Sequence, residues 1–352
     1  MTGGSGFIGS ALIRSILSQT KWTVLNLDKL TYAASPEALA VTRGDARYRF
    51  EKVDICDAQA VNACFNAFMP DAVVHLAAES HVDRSIDGPA AFVMTNMVGT
   101  YQMLDASLAY WDGLTGKRRD RFRFLHMSTD EVYGSLGPDE WFVLDSPYRP
   151  NSPYSASKAG ADHMVRAWHK TYGLPTVIST CSNNYGPFQF PEKLIPLTII
   201  RALSGEAIPV YGNGTHERDW LYVDDHVAAL LNIIEAGRVG AAYLVGGGKP
   251  ARNIDIVRKI CGLLDKERPA GRPREEQIRF VADRPGHDQR YAVDASATTA
   301  ELGWKPDVEI NEGLARTVKW YLDHDDWWQR ILQQRCDGGR RGKRDAGTRA
   351  TR

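Results

Sequence analysis

Cysteine is scarce and unpatterned in this chain. Cys56, Cys64, Cys181, Cys261 and Cys336 are scattered over 352 residues with no C-x-x-C pair. That argues against a disulfide framework and a zinc site, and no metal is expected; it fits a reducing, cytoplasmic compartment. No run approaches 18 consecutive apolar residues, so no membrane span is expected. No charged-then-apolar leader is visible. Neither sign of charge is in excess, with 43 Lys+Arg against 43 Asp+Glu, and the total points to neither nucleic acid nor an anionic membrane. The balance conceals an asymmetry: residues 337–352 carry six Lys/Arg against two Asp and no apolar residue able to pack, so the end from 333 reads as a disordered basic tail. Internal repeats are also missing.

One further absence stands at the other end. The chain opens MTGGSGFIGS, and Gly3, Gly6 and Gly9 have the spacing of a turn that lays a dinucleotide pyrophosphate on a helix N-terminus. Such a turn is fed by a β-strand, yet only Met1 and Thr2 precede it. The expectation is that a first strand is missing, with the true start a few codons upstream. The loss of a central strand would cost several kcal/mol against a total stability of about 5–15 kcal/mol, so the chain as written is expected to fold poorly.

What is present is ordinary for a soluble globular protein: 43% hydrophobic and 24% charged residues. The first half alternates short apolar runs with longer helical patterns. WTVLNLD (22–28), YRFEKVDI (48–55), AVVHLAA (72–78), FRFLHMS (122–128) and PTVISTCS (175–182) read as strands. SALIRSILSQ (10–19), residues 89–111 and VDDHVAALLNIIEAG (223–237) read as helices. The alternation predicts an α/β fold with a doubly wound parallel sheet. From about residue 185, Pro and Gly punctuate a smaller interleaved lobe. The expected division is a dinucleotide-binding Rossmann domain over 1–184 and a second lobe over 185–332, with 219–246 returning to the first.

Asp28 ends the run WTVLNLD, the second strand once the missing first one is counted, 19 residues after Gly9. A carboxylate there accepts hydrogen bonds from the adenosine ribose and repels the extra phosphate of NADP, which favours NAD. Asp54, at the end of the next run, is placed to meet the adenine or to cap a helix. Two further segments carry chemistry. In YSASK (154–158), Tyr154 and Lys158 share one helical face. An ammonium beside a phenol, with the positive charge of the nicotinamide, favours the phenolate, so the two together are expected to lower the Tyr154 pKa. In STDEVYG (128–134), Asp130 and Glu131 follow a buried strand. Close carboxylates tend to separate their proton affinities, which lets one act as acid and the other as base.

These segments, with LDKLTYA, HLAAESHVDRSI, CSNNYGPFQFPEKLIPL, RDWLYVDDH, NIDIV, DRPGHDQRYAVDA and ELGWKP, resemble the dTDP-glucose 4,6-dehydratase family of extended short-chain dehydrogenase/reductases. The match runs in order from residue 1 to about 332. The resemblance implies a lyase. Tyr154, helped by Lys158 and Thr129, would oxidise the glucose C4 hydroxyl with hydride passing to tightly bound NAD. Glu131 would remove the C5 proton, Asp130 would protonate the leaving C6 hydroxyl, and hydride would return to C6. The NAD contacts it implies are Phe7, Ile8, Asp28, Lys29, Leu30, Thr31, Asp54, Ile55, Leu76, Ala77, Ala78, Glu79, Ser80, Thr95, Tyr154, Lys158 and Asn184, besides the three glycines. For dTDP-glucose it implies Ser80, Thr129, Asn183, Lys193, Leu194, Pro209, Val210, Tyr211, Arg218, Asn253, Asp283, Arg284, Pro285, Gly286 and His287. Lys193, Arg218 and Arg284 would offset the diphosphate. A homodimer is also implied. The sequence departs from the family at FVLDSPY (142–148) and Gln289, neither of which touches the chemistry. Alternatives are a related epimerase or decarboxylase, which has no need of the Asp130–Glu131 pair, a UDP-glucose 4,6-dehydratase, and a non-catalytic NAD-binding protein.

Overall fold

The computed structural model describes residues 1–335. Its strands in chain order are β1 (Val24–Leu27), β2 (Tyr48–Glu51), β3 (Ala72–His75), β4 (Arg123–Thr129), β5 (Thr176–Cys181), β6 (Asn183–Tyr185), β7 (Ile208–Tyr211), β8 (Glu217–Tyr222), β9 (Ala242–Val245), β10 (Pro250–Arg252) and β11 (Ile278–Val281). β1 pairs with β2, and β3, β4, β5 and β9 follow one another, all parallel. The gap between β1 and β3 is closed by Met1–Gly3. Thr2 bridges Leu27 on one side and His75 on the other. The Met1 ammonium donates to the Leu25 carbonyl at 2.8 Å, and burial lowers its pKa to about 5. Thus one residue, rather than a full strand, joins the two parts of the sheet.

Helices cover both faces, and the central strands are correspondingly buried. All six residues of β5 are buried, as a strand sandwiched between two helical layers requires. The helix Phe7–Gln19 buries Leu12, Ile13 and Ile16 against the same core as Val177, Val227 and Leu230. The helical pattern over 89–111 is realised, but with a π-turn over Val93–Gly99. The wider turn buries Asn96, whose amide exchanges hydrogen bonds with the Glu79 backbone (2.9 and 3.0 Å) and donates to Ser157 at 2.8 Å. Such turns recur where a helix serves a site rather than its own regularity.

The smaller sheets cap the carboxyl edge of the main one. β8 lies between β6 and β10, and β7 pairs with β11. This lobe has its own core, including Ile199, Ile208, Ile256, Ile260, Leu314 and Tyr321. The helix Val223–Ala236 and β9 then return to the main sheet. A last helix, Asp325–Arg335, runs past residue 332. Residues 333–335 are therefore helical where the tail was expected to begin, because Trp327, Trp328 and Ile331 anchor that helix in the lobe core. The remainder of the expected tail lies outside the described residues.

Candidate active site

The glycine turn is built from backbone. Gly3 sits at φ +70, and a Cβ there would lie 2.6 Å from the Ala77 nitrogen. A Cβ at Gly9 would lie 2.2 Å from the Gly3 carbonyl. Gly6 caps the helix Phe7–Gln19 without a side-chain bond, leaving first-turn N–H groups of Phe7 and Ile8 for an anion. Asp28 stands just past β1. Its two oxygens accept from the Ser5 and Leu30 nitrogens at 2.9 and 2.8 Å, which ties the turn to the loop 28–31. Leu30 is held there at φ 58. Lys29 pairs with Asp54 at 2.6 Å, and Ile55 is buried near the π-turn, against Gly99. Leu76–Ser80 continue from the end of β3, with Thr95 on the π-turn opposite. An uncapped helix end, a close-packed glycine floor and a carboxylate one strand away fit a dinucleotide such as NAD.

The reacting groups converge one element further along. β4 ends at Thr129, whose hydroxyl accepts from the Glu131 N–H at 3.4 Å and donates to Asp130 at 3.4 Å. The chain turns there into a short 3-10 helix, Asp130–Tyr133. Asp130 is 1% exposed, and its Oδ2 is buried with no partner. Burial, with Glu131 and Asp219 nearby, holds the Asp130 carboxyl well above the usual range. Glu131 is also raised by burial, but Arg284, Lys193 and Arg218 pull it back. Adjacent carboxylates are thus pushed toward different proton affinities, one sealed and one facing cations.

Tyr154 and Lys158 begin the helix Pro153–Tyr172, which a Ser152–Ser155 capping box starts. The protein groups packed around Tyr154 favour its neutral form by themselves. Burial, then Glu131, pushes the phenol well above its ordinary value, and the Thr129 hydroxyl opposes them. Lys158 instead directs Nζ to the Met127 carbonyl at 2.6 Å. Burial beside a carboxylate favours the neutral phenol, and the ammonium alongside is turned into the sheet.

The second lobe brings the other expected residues to the same edge. Pro209, Val210 and Tyr211 lie on β7, Arg218 on β8, and Asn253 opens the helix Asn253–Glu267. Lys193 and Leu194 open the helix Leu194–Leu203. Lys193 donates to the Ser80 carbonyl at 2.9 Å. Arg284, in the turn 283–287, pairs with Asp83 at 3.1 Å, and the Tyr211 hydroxyl donates to the same carboxylate at 2.8 Å. Arg218 gives NH2 to the Asp288 carbonyl at 2.8 Å. His216 and His287 stack at 3.7 Å with Asp283 between their nitrogens. The Oδ1 atoms of Asn183 and Asn253 and Nε of Arg284 are buried without partners. Asn184 is already engaged, its Oδ1 2.8 Å from His226.

Sequence reasoning missed Asp83, the latch that holds both Arg284 and Tyr211, although it stands within the quoted HVDRSI. It also missed Asn96, His126 and Asp162. Asp162 had a readable signal, because it lies four residues beyond Lys158 on the same helical face.

Known proteins resemble this chain in sequence and fold. The family model described as GDP-mannose 4,6 dehydratase matches residues 1–317. A dTDP-glucose 4,6-dehydratase of Shigella flexneri is 54% identical over 340 residues, covering 94% of each chain. One from Neisseria meningitidis is 53% identical over 337 residues, covering 94% of this chain and 95% of its own. Among solved structures, a dTDP-glucose 4,6-dehydratase of Streptomyces venezuelae with NAD and dTDP bound superposes with a TM-score of 0.85 at 42% identity, covering 94% of this chain and 98% of that one. A Thermus thermophilus UDP-glucose 4-epimerase with NAD reaches 0.80 at 27% identity, covering 92% and 98%. The chain belongs to the nucleotide-sugar 4,6-dehydratase family of extended short-chain dehydrogenase/reductases, with their Rossmann fold.

Proposed function

We propose that this member of the family converts dTDP-glucose to dTDP-4-keto-6-deoxyglucose and water, with NAD held throughout. The observation that carries the reading is the Asp130–Glu131 pair beside Tyr154. Asp130 is sealed from water with its proton affinity raised, as a general acid requires. Glu131 is raised by burial too, but it faces three cations that counter the rise and favour its carboxylate, which suits it to be the base. An epimerase returning hydride to C4 has no use for either.

NAD supplies a reversible acceptor that takes hydride from the sugar C4 and gives it back at C6. The turn at Gly3, Gly6 and Gly9 and the carboxylate of Asp28 would hold it. Tyr154, as the phenolate that the Lys158 ammonium and the positive charge of the nicotinamide would favour, takes the C4 hydroxyl proton, with Thr129 hydrogen-bonding the phenol. Glu131 removes the C5 proton, which the new C4 ketone has acidified. Asp130 protonates the C6 hydroxyl so that it leaves as water. Glu131 then returns a proton to C5. Lys193, Arg218 and Arg284 hold the diphosphate, and the unpartnered Asn183 and Asn253 oxygens await donors on the ligand. Residues 1–184 would carry NAD and 185–332 mainly the nucleotide sugar, with 219–246 returning to the first domain.

A second copy of the chain is the proposed partner. Val93, Met94, Tyr101 and Tyr172 are exposed on the paired helices 89–112 and 153–172, where Tyr101 and Trp168 meet at 5.9 Å. No helix among the described residues is long and apolar enough to cross a membrane. With the thiols of Cys56, Cys64, Cys181 and Cys261 free, a cytoplasmic site is the reading.

The test is mass spectrometry of dTDP-glucose incubated with purified protein and no added NAD. A product lighter by one water is expected. An isomer of unchanged mass would assign epimerisation instead.

A further inference from the structure

The helix Pro153–Tyr172 carries Tyr154, Lys158 and Asp162 at successive intervals of four, on one stripe. That stripe faces β4, where His126 and Ser128 share a side two residues apart. Lys158 is 4% exposed and Asp162 fully buried. Beyond the Met127 carbonyl, the neighbour within reach of Lys158 Nζ is His126 Nε2, at 3.5 Å. The same Nε2 lies 3.1 Å from Asp162 Oδ1. The other oxygen of Asp162 accepts from Ser128 at 2.5 Å and from the Tyr148 hydroxyl at 2.8 Å.

An ammonium removed from water costs several kcal/mol unless a counter-charge is close. Besides His126, the titratable groups facing Lys158 are His75 from β3 and Cys181 from β5. His75 and His126 are held neutral by burial, and burial pushes the Cys181 thiol up to about 12. Those facing Asp162 are Tyr133, Tyr148 and Arg166. Asp162 is therefore the ionised carboxylate of this box: burial would raise it, but His126, Lys158 and Ser128 hold it below its ordinary value. His126 Nε2 lies between the two charges, 3.1 Å from Asp162 Oδ1 and 3.5 Å from Lys158 Nζ, and it can accept from Lys158 when Nδ1 carries the ring proton.

We propose that Asp162 is the buried counter-charge of Lys158, acting through the His126 ring, so that the helix motif of the site is Y-x-x-x-K-x-x-x-D. Asp162 is a positioning residue. It sits about 6 Å along the helix from Lys158 and about 12 Å from Tyr154, so it favours the ammonium far more than it disfavours a phenolate. The inference rests on the role proposed above for Lys158 beside Tyr154.

The test is Asp162→Asn in the full NAD-loaded chain, read two ways: the pH dependence of kcat, and ultraviolet titration of the Tyr154 phenol against Tyr154→Phe. With the carboxylate gone, the alkaline fall in kcat moves down by about one pH unit or more, and the phenol titrates higher. KM changes by less than about threefold. Asp162→Glu, which keeps the charge, restores the wild-type limb. An Asp162→Asn profile superposing on wild type overturns the proposal, and so does an equal shift in Asp162→Glu. If Asp162→Asn does not fold, His126→Gln breaks the link and must move the same limb in the same direction; an unmoved limb overturns the proposal. The phenol titration needs no substrate, so it still reads the proposal if dTDP-glucose is not dehydrated.

Discussion

The two sides of the site are made differently. The dinucleotide side is backbone: glycines too close to their neighbours to carry a Cβ, an uncapped helix end, and one carboxylate tied down by two N–H groups. The nucleotide-sugar side is side chain: arginines, a lysine and asparagines brought from five separate segments, β6, β8, the starts of two helices and the turn 283–287, with the charged groups already spoken for. Arg284 is paired with Asp83 and Lys193 bonds the Ser80 carbonyl. A backbone site tolerates no substitution but needs no partner, whereas a side-chain site degrades in steps because each cation is one of several.

The sharpest break is expected on the backbone side. Gly9→Ala puts a methyl 2.2 Å from the Gly3 carbonyl, where the turn cannot yield without moving the first helix. Purified protein is expected to carry no NAD, measured by absorbance after denaturation, or not to fold. Retained NAD at wild-type stoichiometry contradicts the account of the turn.

Next in size is the chemistry between the two sides. Asp130→Asn cannot donate a proton, and kcat is expected to fall about 10²–10⁴-fold, the usual weight of general acid catalysis, while bound NAD is unchanged. Activity within threefold of wild type would assign the acid elsewhere.

Acid sensitivity follows from the buried rings. Burial lowers the pKa of His126 to about 4 and of His226 to about 3. Below about pH 6.5 the unfolded chain binds protons that the folded one refuses, so stability falls as pH drops through that window. Together the two rings should cost about 2–3 kcal/mol between pH 7.5 and 5.5, read from urea midpoints. Midpoints rising on acidification would contradict this.

The smallest effect belongs to the side-chain side. Arg284→Lys keeps a charge but loses the fork that meets Asp83, and KM for dTDP-glucose is expected to rise about tenfold, or 1.4 kcal/mol. Lys193→Gln should act similarly but less. A collapse in kcat with KM unchanged would place Arg284 in the chemistry instead.

The α/β alternation, the glycine turn, Asp28, and the pairs Asp130–Glu131 and Tyr154–Lys158 were legible because local sequence encodes them: short apolar runs for strands, four residues for one helical face, three glycines for a turn. Tertiary structure alone decided three things. Thr2 bridges β1 and β3 because the sheet offers it both partners at once, which no reading of two residues reveals. Lys158 turns toward Met127 and His126 because the buried Asp162 lies in that direction, an arrangement set by helix packing on β4. Arg284 meets Asp83 across 201 positions of chain, and only the closing of the lobe over the sheet edge makes them neighbours. Short-range order follows from the period of the side chains; charge pairing follows from burial, and burial exists only once the chain is folded.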